Sequence, residues 1–214
     1  PVLDAVAASA ARLCDANDAV IHRVDGDALK TAANYGPLPG RITGRGVLLN
    51  RNYIPGRAII DRQTIHIHDL SAEPEDDLAA PLARNLGVRT VLATPLLLEG
   101  VPIGTIMIRR VEVRPFSDKQ IALLKTFADQ AVIAIENVRL FNELTESLEQ
   151  QTATSEILGV IASSPTDIQP VFETILANAA RLCGAPDAAI SLVEQAVYRI
   201  AAICGSAPGR RVGE

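Results

Sequence analysis

The sequence predicts an α+β sandwich: an antiparallel sheet with helices on both faces, followed by one long coiled-coil-type helix. Three observations carry that expectation. Strand-length apolar runs come as two hairpins, near 19–35 and 88–111, instead of alternating one by one with helices, which is the pattern of an antiparallel sheet. A single helical pattern then runs unbroken from Ser117 to about Ser163. Finally, the chain repeats itself at a constant offset of 169 residues, the interval from Arg12 to Arg181. Pro1-Val2-Leu3-Asp4 reads again as Pro170-Val171-Phe172-Glu173, and Ala10-Ala11-Arg12-Leu13-Cys14 as Ala179-Ala180-Arg181-Leu182-Cys183. The match continues without a gap through Asp18/Asp187, Val24/Val193, Ala33/Ala202 and Gly36/Gly205. A period this long exceeds the ~20–50 residues of solenoid repeats, so each copy is a domain with its connector. The expected organisation is a complete domain over 1–141, a helical linker over 142–164, and over 165–214 the truncated opening of a second copy.

Each element has a local cause. Val2, Val6, Ala10 and Leu13 recur at helical spacing in an Ala-rich segment that ends at turn residues Asp15 to Asp18. Residues 19–24 are a strand, Asp25-Gly26-Asp27 a hairpin turn, and 29–35 its second arm. A Gly/Pro-rich loop over 36–46 follows. Pro55 suits the first turn of a short helix reaching Gln63. Thr64 to His68 alternates, Ile65 and Ile67 on one face and His66 and His68 on the other. After the acidic run 73–77, a short helix over 78–86 should stop at Gly87. Glu99-Gly100 turns the second hairpin.

Ser117 with Gln120 forms a capping box that starts the long helix. Ser163-Ser164-Pro165 stops it, because proline disfavours helix in the residue before it. Some 46 residues at ~1.5 Å each span about 70 Å. The first half is apolar enough to pack on the domain and on a partner. The second half narrows to a seam of Phe141, Leu144, Leu148, Gln151, Ser155 and Leu158 at alternating steps of three and four, the coiled-coil rule with polar residues in mid-seam.

Composition narrows the function classes. The chain is 48% hydrophobic without a run of eighteen apolar residues, which argues against a membrane span. A net charge of −5 without a basic block argues against nucleic acid or anionic lipid as partner. Arg109-Arg110 and Arg210-Arg211 read as solvated strand ends. Cys14, Cys183 and Cys204 stand apart from one another and from histidine at metal spacing, so they read as small buried hydrophobes in a reducing cytoplasm. Three histidines without a suitable fourth ligand argue against a metal site. No nucleophile–base pair, phosphate-binding glycine loop or kinase motif is present, so no catalytic residue is expected. The chain opens inside a helical pattern, and its natural N-terminus is expected upstream.

The strand Val88-Arg89-Thr90-Val91-Leu92-Ala93-Thr94-Pro95-Leu96, the following Gly104-Thr105-Ile106, and the entry Phe116-Ser117-Asp118-Lys119-Gln120 into the closing helix resemble a GAF domain. The stretches Ala131 to Asn137 and Gln150 to Leu158 resemble multi-GAF bacterial sensor histidine kinases. The resemblance implies a GAF-like (profilin/PAS-like) fold and a small-molecule pocket between the sheet and the helices inserted between its hairpins, residues about 36–94. Candidate ligand-binding residues in that window are Tyr35, Tyr53, Arg57, His66, Arg89 and Thr94. Arg89 stands out, because a guanidinium in an apolar strand must reach solvent or an anion. Bilin-binding members need a chromophore cysteine that helical Cys14 does not supply, and the cyclic-nucleotide motif of the family is absent. No cofactor is identified; an unknown small molecule is the ligand class left. The expected function is a cytoplasmic sensory module, a homodimer relaying a small-molecule or conformational signal through its exit helix to a downstream kinase module. The alternatives are a ligand-free dimerisation scaffold and the regulatory region of a nucleotide cyclase or phosphodiesterase.

Overall fold

The two hairpins adjoin in the middle of one six-stranded antiparallel sheet. In the computed structural model, which describes residues 2–38, 46–73, 85–163, 167–194 and 197–205, helix α1 (Val2–Leu13) leads into strands β1 (Asp18–Asp25) and β2 (Ala28–Tyr35). The short strand β3 (Val47–Leu48), helix α2 (Ile54–Asp61), strand β4 (Ile65–Ile67) and a 3-10 turn (Leu70–Ala72) come next. Strands β5 (Thr90–Leu98) and β6 (Val101–Arg110) form the second hairpin, and helix α3 (Asp118–Ser163) follows. The strand order is β3-β2-β1-β6-β5-β4, so β1 and β6 pair at the centre. The α+β expectation holds, with helices on both faces and a long helix after the sheet. Of the sequence-based expectations, most of the 36–46 loop, all but the last two residues of the helix over 78–86, and Arg210-Arg211 lie outside the described residues.

Strand alternation sends two sets of side chains to opposite faces. Ala19, Ile21, Ala33, Leu92, Leu96, Ile106 and Ile108 pack with Ala7, Ala10, Leu124 and Ala128 of α1 and α3 in the larger core. Each fully buried Leu or Ile there contributes about 1.5–3 kcal/mol, and truncating one such as Ile106 to Ala costs about 2–5 kcal/mol. On the other face, Val91, Ala93 and Met107 pack with Ile54 and Ala58 of α2 and with Ile67 and Leu70. Alanines on α1 let that helix approach the sheet closely, whereas α2 carries the bulkier Ile54 and Ile59.

The chain divides into two compact units, residues 1–138 and 139–214. The second contains the later part of α3, helix α4 (Gln169–Cys183), and the antiparallel hairpin of β7 (Ala188–Glu194) and β8 (Val197–Cys204). The seam residues Phe141, Leu144, Leu148 and Leu158 are exposed, as are Gln151 and Ser155. Among the described residues no helix is long and apolar enough to cross a membrane.

Two sequence expectations are corrected. Arg109 and Arg110 are both buried, because alternate strand positions point them to opposite faces and each meets a built set of acceptors. Of the cysteines only Cys14 is buried; Cys183 is exposed and Cys204 half-buried. Burial pushes the Cys14 thiol up to about 11 against the opposing effect of Arg110, which leaves it protonated and inert.

Candidate functional site

The sheet face under α2 holds a polar cluster drawn from three strands. In the β1–β6 register Asp18 lies opposite Arg109, Val20 opposite Met107, and His22 opposite Thr105. Residues directly opposed share a face, so all six point the same way. Asn34 of β2 stands opposite Val20 and joins them. His22 and Thr105 are completely buried. Three buried atoms here, His22 Nδ1, Asn34 Oδ1 and Thr105 Oγ1, have no hydrogen-bond partner among the described residues. A buried polar atom left unsatisfied costs about 1–3 kcal/mol, so three on one small patch need a physical reason.

Tyr53, the residue before α2, points its hydroxyl at the other ring nitrogen of His22, 3.5 Å from Nε2. The rings meet edge-on with centroids 6.0 Å apart. Arg109 is held by Asp18: Nε donates to Oδ1 at 2.9 Å and to Oδ2 at 3.1 Å, and Nη2 donates to Oδ2 as well. Burial pushes the Asp18 carboxyl up while the hydrogen bonds and charge of Arg109 oppose that. Burial, assisted by the Arg109 charge, pulls His22 down to about 4. Burial pushes the Tyr53 phenol up to about 12, with Arg109 opposing. Near neutral pH the imidazole and phenol are therefore uncharged, and the one ion pair cancels itself. Such an arrangement can hold a polar group by hydrogen bonds.

The other candidates lie elsewhere. Tyr35 is exposed at the end of β2, with the Arg12 guanidinium 5.7 Å over its ring. Arg57 is half-buried on α2, its backbone N–H donating to the Tyr53 carbonyl at 2.8 Å. Arg89 meets an internal anion, donating from Nε and Nη2 to the two Asp69 carboxylate oxygens at 2.9 Å each. Thr94 faces α3, its hydroxyl 3.3 Å from that of Thr64 in a groove shared with Lys125 and Asp129. His66 also lies on the α3 side, where its Nε2 accepts from the Phe116 N–H at 3.1 Å. Of the six, the structure brings Tyr53 to His22.

His22, Asn34 and Thr105 were missed because the expected pocket window stopped at residues 36–94, while these three come from β1, β2 and β6. A partial signal existed: Asp18 and His22 share a face of β1 with Val20, and Thr105 interrupts the apolar run of β6, polar residues that a one-sided apolar core does not require, whereas Asn34 sits in a strand already mixed with Lys30 and Thr31.

On the opposite face, Arg110 stitches the end of α1 to the start of α3. It donates to the carbonyls of Cys14 at 2.8 Å and Asp15 at 2.9 Å, and to those of Arg114 at 2.5 Å and Pro115 at 3.2 Å. Its guanidinium lies 3.9 Å over the Phe116 ring. A cation on the last carbonyls of a helix is favourable both as a cap and toward its dipole.

Similar folds recur in known proteins. A methyl-accepting chemotaxis protein (residues 122 to 287) matches with 25% identity and a TM-score of 0.56, covering 65% of this chain and 90% of that one. The second GAF domain of DevS from Mycobacterium smegmatis matches with 22% identity and a TM-score of 0.53, over 67% and 96%. The GAF domain of an Acinetobacter phosphoenolpyruvate-protein phosphotransferase matches with 15% identity and a TM-score of 0.55, over 66% and 84%. The GAF domain family itself matches residues 1–135, which is more than half of the chain. The chain therefore belongs to the GAF domain family, whose members are signalling and sensory modules.

Proposed function

We propose that residues 1–138 sense a small molecule for a bacterial signal-transduction protein, a cytoplasmic sensor histidine kinase being the favoured parent. The observation that carries this reading is the trio of orphaned buried atoms on His22, Asn34 and Thr105. A fold that leaves several polar atoms unsatisfied on one face is organised for a group it does not itself contain. Adjacent residues of β6 support a relay: Arg109 lies in the cluster, and Arg110 grips the entry to α3. Replacing Asn34 with Leu and Thr105 with Val tests the reading. If the polar atoms serve a ligand, the ligand-free double variant unfolds at the same or a higher temperature, and the full-length protein loses its response. A stability loss of about 1–3 kcal/mol would mean that the atoms already have partners, and the sensing reading falls.

A second reading, a dimerisation scaffold, is favoured by the exposed stripe of Phe141, Leu144, Leu148 and Leu158. The two are compatible, since a second copy laid along this stripe buries it and couples two sensors. Gln151 and Ser155 would keep that seam weak enough for a ligand supplying ~1–3 kcal/mol of coupling to shift it. Sedimentation should find a homodimer at tens of micromolar; a monomer there would remove the dimeric relay. We also read residues 165–214 as the opening of a second copy of the domain, supported by the backbone features that α4 and its hairpin share with α1 and its own.

A further inference from the structure

Resting on the reading of the buried cluster as a ligand site, we infer that its ligand is an uncharged, single-ring molecule presenting a hydrogen-bond donor beside an acceptor, as a carboxamide-bearing or nucleobase-like heterocycle does.

Three features of the cluster lead there. The first is charge. Asp18 and Arg109 neutralise each other through three hydrogen bonds. His22 and Tyr53 are held in their neutral forms by burial. Arg57 has an interaction of its own, although its buried Nε lacks a hydrogen-bond partner. A lone anion or cation brought onto this face would find no unpaired countercharge among the described residues and would lose its hydration, the arrangement that buried sites avoid.

The second is the hydrogen-bond pattern. Asn34 Oδ1 only accepts, so the ligand must donate to it. If the Tyr53 hydroxyl donates to His22 Nε2, then Nδ1 carries the ring hydrogen and needs an acceptor; with the other tautomer Nδ1 needs a donor. The Thr105 hydroxyl can complement either choice. Under both tautomers the ligand presents at least one donor, and an acceptor stands within reach of it.

The third is size. His22 and Thr105 are directly opposed, which sets their Cβ atoms ~4.5–5.5 Å apart, and Asn34 stands opposite Val20, across the register shift that separates it from His22. One five- or six-membered ring with a polar edge spans such a patch, whereas a long amphiphile does not match its compactness. All three atoms are closed off from solvent, so the hydrogen bonds to the ligand form in a dry environment where each discriminates strongly.

Isosteric pairs separate charge from shape. Calorimetry and thermal unfolding of the full chain with nicotinamide against nicotinate, and with uracil against orotate, should find binding by a neutral member. Its charged counterpart should bind at least about tenfold more weakly, and Asn34→Leu should weaken the neutral member by about tenfold. A charged member binding as well as or better than its neutral partner overturns the inference and leaves the ligand site standing. Neutral binding unchanged in Asn34→Leu also overturns it, because the molecule then sits elsewhere. If no member binds and the Asn34→Leu/Thr105→Val variant is at least as stable as wild type, the ligand class is wrong but the site remains. If no member binds and that variant is destabilised, the cluster is satisfied internally or by water, and both readings fall.

Discussion

The hairpins 18–35 and 188–204 are built on one backbone plan and bury different chemistry. In the first, the register shifts between Ile21 and His22; in the second it shifts between Ile190 and Ser191, the same place in the repeat. Each hairpin follows a helix whose end turns through a left-handed residue, Asp15 at φ 51° and Gly184 at φ 60°. The closing bonds match as well: the Ala16 N–H donates to the Ala11 carbonyl at 2.8 Å, and the Ala185 N–H to the Ala180 carbonyl at 2.9 Å. Each hairpin ends on a glycine at positive φ packed against an aspartate, Gly36 at +106° on Asp18 and Gly205 at +100° on Asp187. What differs is cargo. His22 becomes Ser191 and Asn34 becomes Ile203, while Asp18 is buried on Arg109 and Asp187 is exposed. Turn, bulge and helix-end residues keep the frame, and the residues on the α2-facing side of β1 and β2 are free to change. The imidazole of His22 and the amide of Asn34 are thus found in the hairpin 18–35 and not in the hairpin 188–204.

Breaking the comparison at its aspartates should give the largest effect. Asp18→Asn leaves the buried Arg109 guanidinium without its countercharge and should cost about 3–5 kcal/mol in denaturant unfolding. The same exchange at exposed Asp187 should change stability by less than about 0.5 kcal/mol. Equal losses at the two sites would show that the aspartates do the same work in both copies.

The exchange His22→Ser installs the residue of the second copy. Folding holds His22 near pKa 4 against about 6.5 for an unfolded histidine. Its contribution is therefore fully present above about pH 6.5 and is lost as pH falls toward 4, roughly 3 kcal/mol in all. Unfolding curves at pH 7 and pH 4.5 should differ markedly for wild type and less for the variant. His66, also held below its ordinary value by burial first and then by His68 and Arg110, retains a residual slope. An unchanged pH dependence in His22→Ser would mean that the burial of this ring is not what titrates.

A smaller effect should sharpen the shared frame. A Cβ at Gly36 would meet Asp18 Cβ at 2.5 Å and the Asn17 carbonyl oxygen at 2.6 Å; at Gly205 it would meet Asp187 Oδ1 at 2.1 Å and the Pro186 carbonyl oxygen at 2.5 Å. With the positive φ added, Gly36→Ala and Gly205→Ala should each cost about 1–3 kcal/mol, read by local amide exchange in their own hairpin. A harmless Gly205→Ala would separate the two frames that the repeat equates.

Much of the fold was legible in the chain because its causes are local. The capping box forms as its spacing implies, the Ser117 N–H donating to Gln120 Oε1 at 3.0 Å and the Gln120 N–H to Ser117 Oγ at 3.4 Å. Alternation at Ile65 and Ile67, the Glu99-Gly100 turn and the helical period to Ser163 each act within a few residues. The site was not legible in the same way. Tyr53 could be nominated, but His22, Asn34 and Thr105 meet only because β1 pairs with β2 on one side and β6 on the other. The fates of Arg109 and Arg110 were hidden for the same reason, since their partners Asp18 and Cys14 stand 91 and 96 residues away. By itself the sequence determined the two hairpins, the first and last helices of the domain and the repeat, which depend on periodicity, turn chemistry and caps, but not the short strand β3 or the 3-10 turn. Only the tertiary structure decided which polar residues share a buried face, because strand pairing across a long separation sets the register and leaves no local trace in the chain.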